Sequence, residues 1–200
     1  KPMKTSSFAL ALALASVALA GCSSPVSQNQ ADLLQNPLYA RYYYQDQADM
    51  MANYNIQNDP ILKDSEKKGA IESVRTRALE HLKNANAKIN AGRRGSFMSD
   101  TDYAAGNALL TDGTLYFGQD LNTLPGPEVY VYASMLLDPR EGSGSVLFPD
   151  ESAVNLGLLK SPYGAQTYSV PADQKDKAFR LVGLWDKRLG RLLGFAQLSQ

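Results

Sequence analysis

The hydrophobic pattern of this chain changes near Gly95, and that change limits the possible folds more than any other feature. Before it, apolar residues lie three and four positions apart, at Ile71, Val74, Ala78, Leu82, Ala85 and Ile89. This spacing is typical of one helix face. After Gly95 the apolar runs are short and alternating. The sequence therefore predicts an α+β protein, with a helical segment of two helices over residues 37–94 and an all-β sandwich or barrel-like domain over 95–200.

The two predicted helices have start and stop signals. Asn36-Pro37 and Asp59-Pro60 each combine a side chain that can cap free backbone amides with a proline at the first helical position. We therefore predict one helix from Leu38 to about Tyr54 and a second from Ile61 to Ala91. Gly92 is suited to end the second helix.

The β part begins with a hairpin signal, Asp112-Gly113 between two apolar runs. Further strands are predicted over residues 128–136, 153–159, 165–170, 179–185 and 192–198. In the first of these, one face would carry Val129, Val131 and Ala133, and the other Tyr130, Tyr132 and Ser134. Many short strands at regular spacing indicate a sandwich or a barrel.

The only cysteine, Cys22, ends the run Leu19-Ala20-Gly21-Cys22 directly after an apolar stretch. This run resembles the lipobox of bacterial lipoproteins. The resemblance implies a signal peptide over residues 1–21 that is removed before Cys22, with Leu19, Ala20 and Gly21 as the signal-peptidase box. It also implies that the Cys22 sulfur receives a diacylglycerol and that the new N-terminus is acylated. Several acyl chains would anchor the protein stably to a membrane.

The residues around the cysteine extend this prediction. Ser23 resembles the residue found in lipoproteins of the outer membrane, which implies a cell-envelope protein facing the periplasm. The polar residues 22–36 are predicted to be a lipidated tether. An uncleaved anchor or a buried helix is the alternative, although the apolar run of about 13 residues is shorter than the roughly 20 that span a bilayer.

Composition excludes several functions. Lys plus Arg and Asp plus Glu both number 20, so no net positive charge attracts nucleic acid. Once Cys22 is lipidated, no thiol remains for a disulfide, a metal or a redox centre. His81 is the only histidine and cannot form a zinc site by itself. We therefore expect no metal, no cofactor and no enzymatic activity.

Three stretches of the β part together resemble a known family. They are Gly126-Pro127-Glu128-Val129-Tyr130-Val131-Tyr132, the segment from Asn155 to Pro171, and the segment from Leu184 to Leu198. In this order they are similar to the DM-thirteen domain, an all-β module labelled electron transfer, over about residues 96–199. In that family a cysteine follows the tryptophan and is proposed to be a redox thiol or the attachment point of a group such as haem. Here Asp186 follows Trp185, and a carboxylate cannot cycle between thiol and disulfide.

Four residues are candidates for function. Tyr130, Tyr132 and Trp185 form either a ligand surface or ordinary packing. Asp186, at the family's redox position, is interpreted as a solvated turn acid, with a hard-cation site formed with Asp112, Asp120 or Asp150 as the alternative. The leading hypothesis is a non-catalytic envelope lipoprotein that binds a protein partner or a small ligand. A redox module, as the family label implies, and a purely structural spacer are the alternatives.

Overall fold

The computed structural model describes residues 29–100, 102–140 and 146–200. The predicted signal peptide, the signal-peptidase box and Cys22 lie outside these residues, as does the first half of the predicted tether. No helix in the described part of the chain is long and apolar enough to cross a bilayer.

Three helices form the N-terminal part: α1 (Gln30–Leu33), α2 (Pro37–Ile56) and α3 (Ser65–Ala91), with a 3-10 turn at Pro60–Lys63 before α3. The two long helices confirm the two predicted helices, and they pack against each other. Asn36 caps α2, because its side-chain oxygen accepts hydrogen bonds from the amides of Leu38 and Tyr39. α1 is one helical turn inside the segment predicted as a tether, so part of that segment is folded.

Ten strands follow, and they are β1 (Arg93–Ser99), β2 (Ala104–Ala105), β3 (Asn107–Thr111), β4 (Thr114–Phe117), β5 (Asn122–Thr123), β6 (Val129–Ser134), β7 (Val154–Leu158), β8 (Gln166–Ser169), β9 (Leu181–Asp186) and β10 (Arg191–Gln197). Eight of them form one antiparallel sheet in the order β7-β6-β9-β10-β1-β3-β4-β8. The short strands β2 and β5 pair separately. The α+β fold class is thus confirmed.

The eight-stranded sheet curls into a nearly closed barrel. Side chains bridge its two edge strands: the Lys160 amide, just after β7, donates to Oε1 of Gln166 at 3.1 Å and to the Tyr168 hydroxyl at 3.0 Å, both on β8. The interior is filled by buried side chains, among them Phe97, Leu115, Phe117, Val131, Tyr168, Val182 and Leu184. Nearly closing the sheet in this way protects strand edges that would otherwise be free to pair.

The structure has a strand at each predicted position, and it also has β1, β2 and β5, which were not predicted. The hairpin at Asp112-Gly113 joins β3 to β4, and both turn residues have positive φ, as a two-residue turn of this kind requires. β1 begins at Arg93, two residues before the predicted start of the β part. Arg93 and Arg94 already pair with Leu110 and Leu109, so the helix stop at Gly92 leads directly into a strand.

The helices lie on the outer surface of the barrel. Leu38 of α2 and Ile89 of α3 are buried against Leu109 and Tyr116, which face outward from β3 and β4. Asn36 is 2 % exposed, and its amide nitrogen donates to the carbonyl of Phe117 at 2.7 Å. One buried side chain therefore caps a helix and holds it to a barrel strand.

Candidate functional site

Strands β6 and β9 bring the predicted aromatic residues to one face. In the register of this antiparallel pair, Tyr130 lies opposite Trp185 and Tyr132 lies opposite Gly183. Val129, Val131 and Ala133, which alternate with the tyrosines, are buried. Because successive side chains point to opposite faces of a strand, the two tyrosines and the tryptophan lie on the outside of the barrel.

A fourth ring, Phe148, completes this cluster. Its ring lies over Gly183, where an added Cβ would be 2.6 Å from two ring carbons. The ring centroid of Phe148 is 5.9 Å from that of Tyr132 and 6.5 Å from that of Trp185, while the two tyrosine rings are 6.3 Å apart. We call Tyr130, Tyr132, Phe148 and Trp185 the outer aromatic face.

The exposure of these rings differs in a way that matters for binding. Phe148 is buried at 3 %, whereas the two tyrosines and Trp185 are half-buried. Leu158 lies beside Tyr130 in the register of β6 and β7 and is 55 % exposed. Phe148 therefore supports the face from below, and the other rings present partly exposed apolar surface at its rim.

Polar groups at the edge of the face are few. The Tyr130 hydroxyl donates a hydrogen bond to Oε1 of Glu128 at 3.3 Å. The pKa of Tyr130 is raised, mainly by desolvation and in second place by the negative charge of Glu128. The ammonium of Lys187 is 5.8 Å from the centre of the Tyr130 ring, within the range of a cation–π contact. The face thus combines rigid aromatic area with one acid and one base at its border.

Asp186 is not on this face, and the interpretation as a solvated turn acid is wrong. Its side chain is completely buried. Its Oδ1 accepts hydrogen bonds from the amides of Arg188 at 2.9 Å and Leu189 at 3.0 Å, which holds the turn between β9 and β10. Its Oδ2 lies against Gly126, where any side chain would overlap it, and accepts no hydrogen bond from the residues that the structure describes.

The comparison with protein families matches residues 96–198 to the family described as Electron transfer DM13, which is more than half of the chain. The chain belongs to the DM13 family. No curated protein and no solved structure matches it. The matched residues include almost the whole barrel, from β1 to β10, whereas the helices lie outside the DM13 match.

Asp186, at the position where the resemblance implies a redox cysteine, does not fit a redox thiol or an attached haem. Asp186 supplies a carboxylate, which is neither a reversible redox group nor a favourable haem ligand compared with thiolate, His or Met. Its two oxygens are committed to a turn and to contact with Gly126. We therefore assign no electron-transfer step to this position.

Two of the acids considered with Asp186 for a cation site, Asp150 and Asp120, have other partners. Asp150 accepts hydrogen bonds from Ser134 and from Ser152, and Asp120 is held by Asn107. Among the described residues there is no group of three His, Cys, Asp or Glu side chains that could hold a metal ion. His81 lies far along α3, where its ring stacks on Tyr44 at 4.6 Å.

Sequence reasoning missed two residues that organise the molecule. Phe148 follows a loop without hydrophobic periodicity, and its position depends on the missing side chain of Gly183, a distant glycine on another strand. Asn36 was expected to cap a helix, but its hydrogen bond to Phe117 joins residues 81 positions apart. A glycine in the middle of an aromatic strand was the one available signal, since it often marks close approach of another group.

Proposed function

We propose that this chain is a non-catalytic lipoprotein of the bacterial envelope whose DM13 barrel binds a protein partner or a small ligand through the outer aromatic face. The observation that carries the proposal is the set of half-buried rings, Tyr130, Tyr132 and Trp185, held rigidly over buried Phe148 and bordered by exposed Leu158.

The physical argument rests on how such surfaces gain binding energy. Tyrosine and tryptophan are enriched at interfaces because they bury a large area at low conformational cost, and a few of them contribute most of the affinity. Here Phe148 and Gly183 fix the rings before any partner arrives. A preformed surface loses less entropy on binding than a mobile one.

A binding experiment on single variants tests this proposal. Tyr130→Ser and Leu158→Ser remove exposed apolar area from the rim without touching the core. Tyr163→Ser is the matched control, because Tyr163 is 59 % exposed elsewhere on the barrel. We expect proteins or small molecules that cross-link to the wild type in its native envelope to be lost from the first two variants and kept by the control.

Equal capture by all three variants would contradict a role of this face. Catalytic turnover of a ligand so identified would contradict the non-catalytic part of the proposal. Circular dichroism of each variant establishes that loss of capture does not come from loss of folding.

The membrane anchor is the second part of the proposal and has its own test. We propose that Cys22 is lipidated and that residues 1–21 are removed, which places the barrel at the outer membrane facing the periplasm. Intact mass spectrometry of the mature protein should show a chain beginning at Cys22 with the added mass of the acyl groups. A free thiol or a retained leader would contradict it.

The DM13 label supports a second candidate, an electron-transfer module. One structural feature favours this candidate. The four rings of the outer aromatic face form a series, with centroid distances of 5.9 to 6.5 Å between successive rings. Such a module would need a redox group held without a cysteine of the barrel. A visible absorption band in protein purified from its host would favour this candidate, and a colourless preparation would count against it.

A further inference from the structure

We infer that a second site, the groove between α2 and strands β1 and β3, binds a phosphate group through Arg41 and Arg94. The groove has a volume of about 400 Å³ and lies beside the contact between the helices and the barrel. It is separate from the outer aromatic face on β6 and β9. We call it the arginine groove.

The floor and walls of the arginine groove differ in chemistry. Its floor includes Leu38 and Ile89, the buried residues that join the helices to the barrel. Arg41 lines the groove from α2, one turn after Leu38, and Arg94 lines it from β1. Ser199 lies beside Arg94, because the backbones of these two residues exchange hydrogen bonds of 2.8 and 3.0 Å.

Neither arginine has an acidic partner among the described residues. Neither guanidinium forms an ion pair with the residues that the structure describes, although other arginines of the chain do so with Asp138 and Asp102. Arg41 is half-buried, and its guanidinium lies 4.9 Å from the centre of the Tyr42 ring. Asp120 accepts hydrogen bonds from the backbone and side-chain nitrogens of Asn107, which also lines the groove.

Two guanidinium groups that line one groove and have no ion pair among the described residues suit a doubly charged oxyanion. Each presents a planar fork of donors that matches phosphate oxygens, and half-buried Arg41 gains more from such a partner than exposed Arg94 does. The chain as a whole has no net charge, so the positive charge of the two arginines is local to the groove. A free phosphate and the headgroup of an anionic phospholipid share this chemistry.

The test uses the mature chain from residue 22 onward with Cys22→Ser, so that neither the apolar leader nor a lipid anchor contributes to membrane binding. Calorimetric titration with inorganic phosphate is the first arm. Co-sedimentation with phosphatidylglycerol vesicles, compared with phosphatidylcholine vesicles, is the second. Arg41→Gln and Arg94→Gln should each weaken binding about tenfold or more, the value expected for losing one charged hydrogen-bonding partner.

Arg75→Gln is the matched control. It removes the same charge at an exposed position on α3, away from the groove. Phosphate binding that depends on both groove arginines but not on Arg75 supports a free phosphate ligand. Vesicle binding with the same dependence, without binding of inorganic phosphate, supports a lipid headgroup. Absence of binding in both arms, or an equal loss in Arg75→Gln, overturns the inference.

Folding is checked by the melting temperature of each variant. If Arg41→Gln does not fold, the variants of exposed Arg94 test the inference. Arg94→Lys should retain part of the affinity for phosphate, because lysine keeps the charge but lacks the planar pair of donors of a guanidinium group. Loss of binding at the outer aromatic face would leave this result unchanged, since the variants used for the two sites do not overlap.

Discussion

Replacing Asn36 by alanine should weaken the attachment of the helices to the barrel and lower the stability of the protein. The side chain is 2 % exposed and serves two elements at once. Its oxygen caps α2 through the amide of Leu38 at 3.0 Å, and its amide nitrogen donates to the Phe117 carbonyl at 2.7 Å and more weakly to the Gln166 carbonyl at 3.4 Å. Few other polar contacts join the helices to the sheet in the described part of the chain.

The expected magnitude is the sum of two losses. Removing an N-cap costs about 1 kcal/mol, within a range of roughly 0.5–2 kcal/mol. Leaving the Phe117 carbonyl buried without its donor costs about 1–3 kcal/mol more. We therefore expect Asn36→Ala to lower the free energy of unfolding by about 2–4 kcal/mol, which is a large fraction of the stability of an ordinary domain.

Urea titration with two probes measures this effect. Far-UV circular dichroism follows mainly the helices, and the fluorescence of Trp185 follows the barrel. Asn36→Ser separates the two losses, because serine caps a helix about as well as asparagine but lacks the amide nitrogen that bonds to Phe117. Asn29→Ala is the control, because Asn29 caps α1 at an exposed position.

We expect Asn36→Ser to lose only the stability that the buried hydrogen bond to Phe117 contributes. In Asn36→Ala, the helical signal should be lost at a lower urea concentration than the Trp185 signal. A change below about 0.5 kcal/mol in Asn36→Ala, the size usual for surface substitutions, would refute the role given to this residue. So would a serine variant as stable as the wild type.

Two further predictions concern the barrel itself. Gly183→Ala should displace the Phe148 ring, because the new Cβ would lie 2.6 Å from it, and should cost about 1–3 kcal/mol while shifting Trp185 fluorescence; unchanged stability and spectrum would show that the ring does not lie on the glycine. Burial raises the pKa of Tyr168 to about 12 from 10.0. Because the folded pKa is the higher one, this group's stabilising contribution is complete below about pH 10 and is lost as the pH rises towards about 12. The difference in unfolding free energy between wild type and Tyr168→Phe should therefore change by about 2 kcal/mol between about pH 9 and about pH 11.5, and an unchanged difference would contradict the burial of the hydroxyl.

The sequence predicts local structure well because local structure here depends on neighbouring residues. The caps at Asn36 and Gly92 and the hairpin turn at Asp112-Gly113 each require particular residue types within a few positions, and the structure confirms all three. The alternation along β6 likewise fixed which side faces the core, because a strand packed on a barrel interior must bury every second residue.

Long-range relationships could not be predicted in the same way. The pairing that places Tyr130 opposite Trp185 depends on the order of strands in the sheet, which hydrophobic alternation does not encode. The position of Phe148 depends on space left by Gly183. The burial of Asp186 was mispredicted because a charged residue in a Lys- and Arg-rich turn is usually solvated, and nothing in the sequence shows that Gly126 closes over it.

Asp186 shows what this chain shares with the DM13 family and what it does not. A carboxylate whose Oδ1 accepts two backbone hydrogen bonds stabilises the turn between β9 and β10. A thiol is a much weaker acceptor, so the same position cannot serve the turn equally well with a cysteine. The match to the family covers the barrel, while Asp186 has a structural role at the position where the resemblance implies a cysteine.

Restoring the cysteine tests this argument. In a Cys22→Ser background, Asp186→Cys should lose about 1–3 kcal/mol of stability, because the amides of Arg188 and Leu189 lose a charged acceptor. Its thiol should react slowly with an aromatic disulfide reagent, because an apolar, buried site raises the pKa of a thiol and denies access to it. Lys187→Cys, one residue further and exposed, should react at the rate of a free thiol. A fast reaction at position 186 in the folded protein would mean that redox partners can reach this site. It would contradict the structural role given to the position and would favour the electron-transfer candidate.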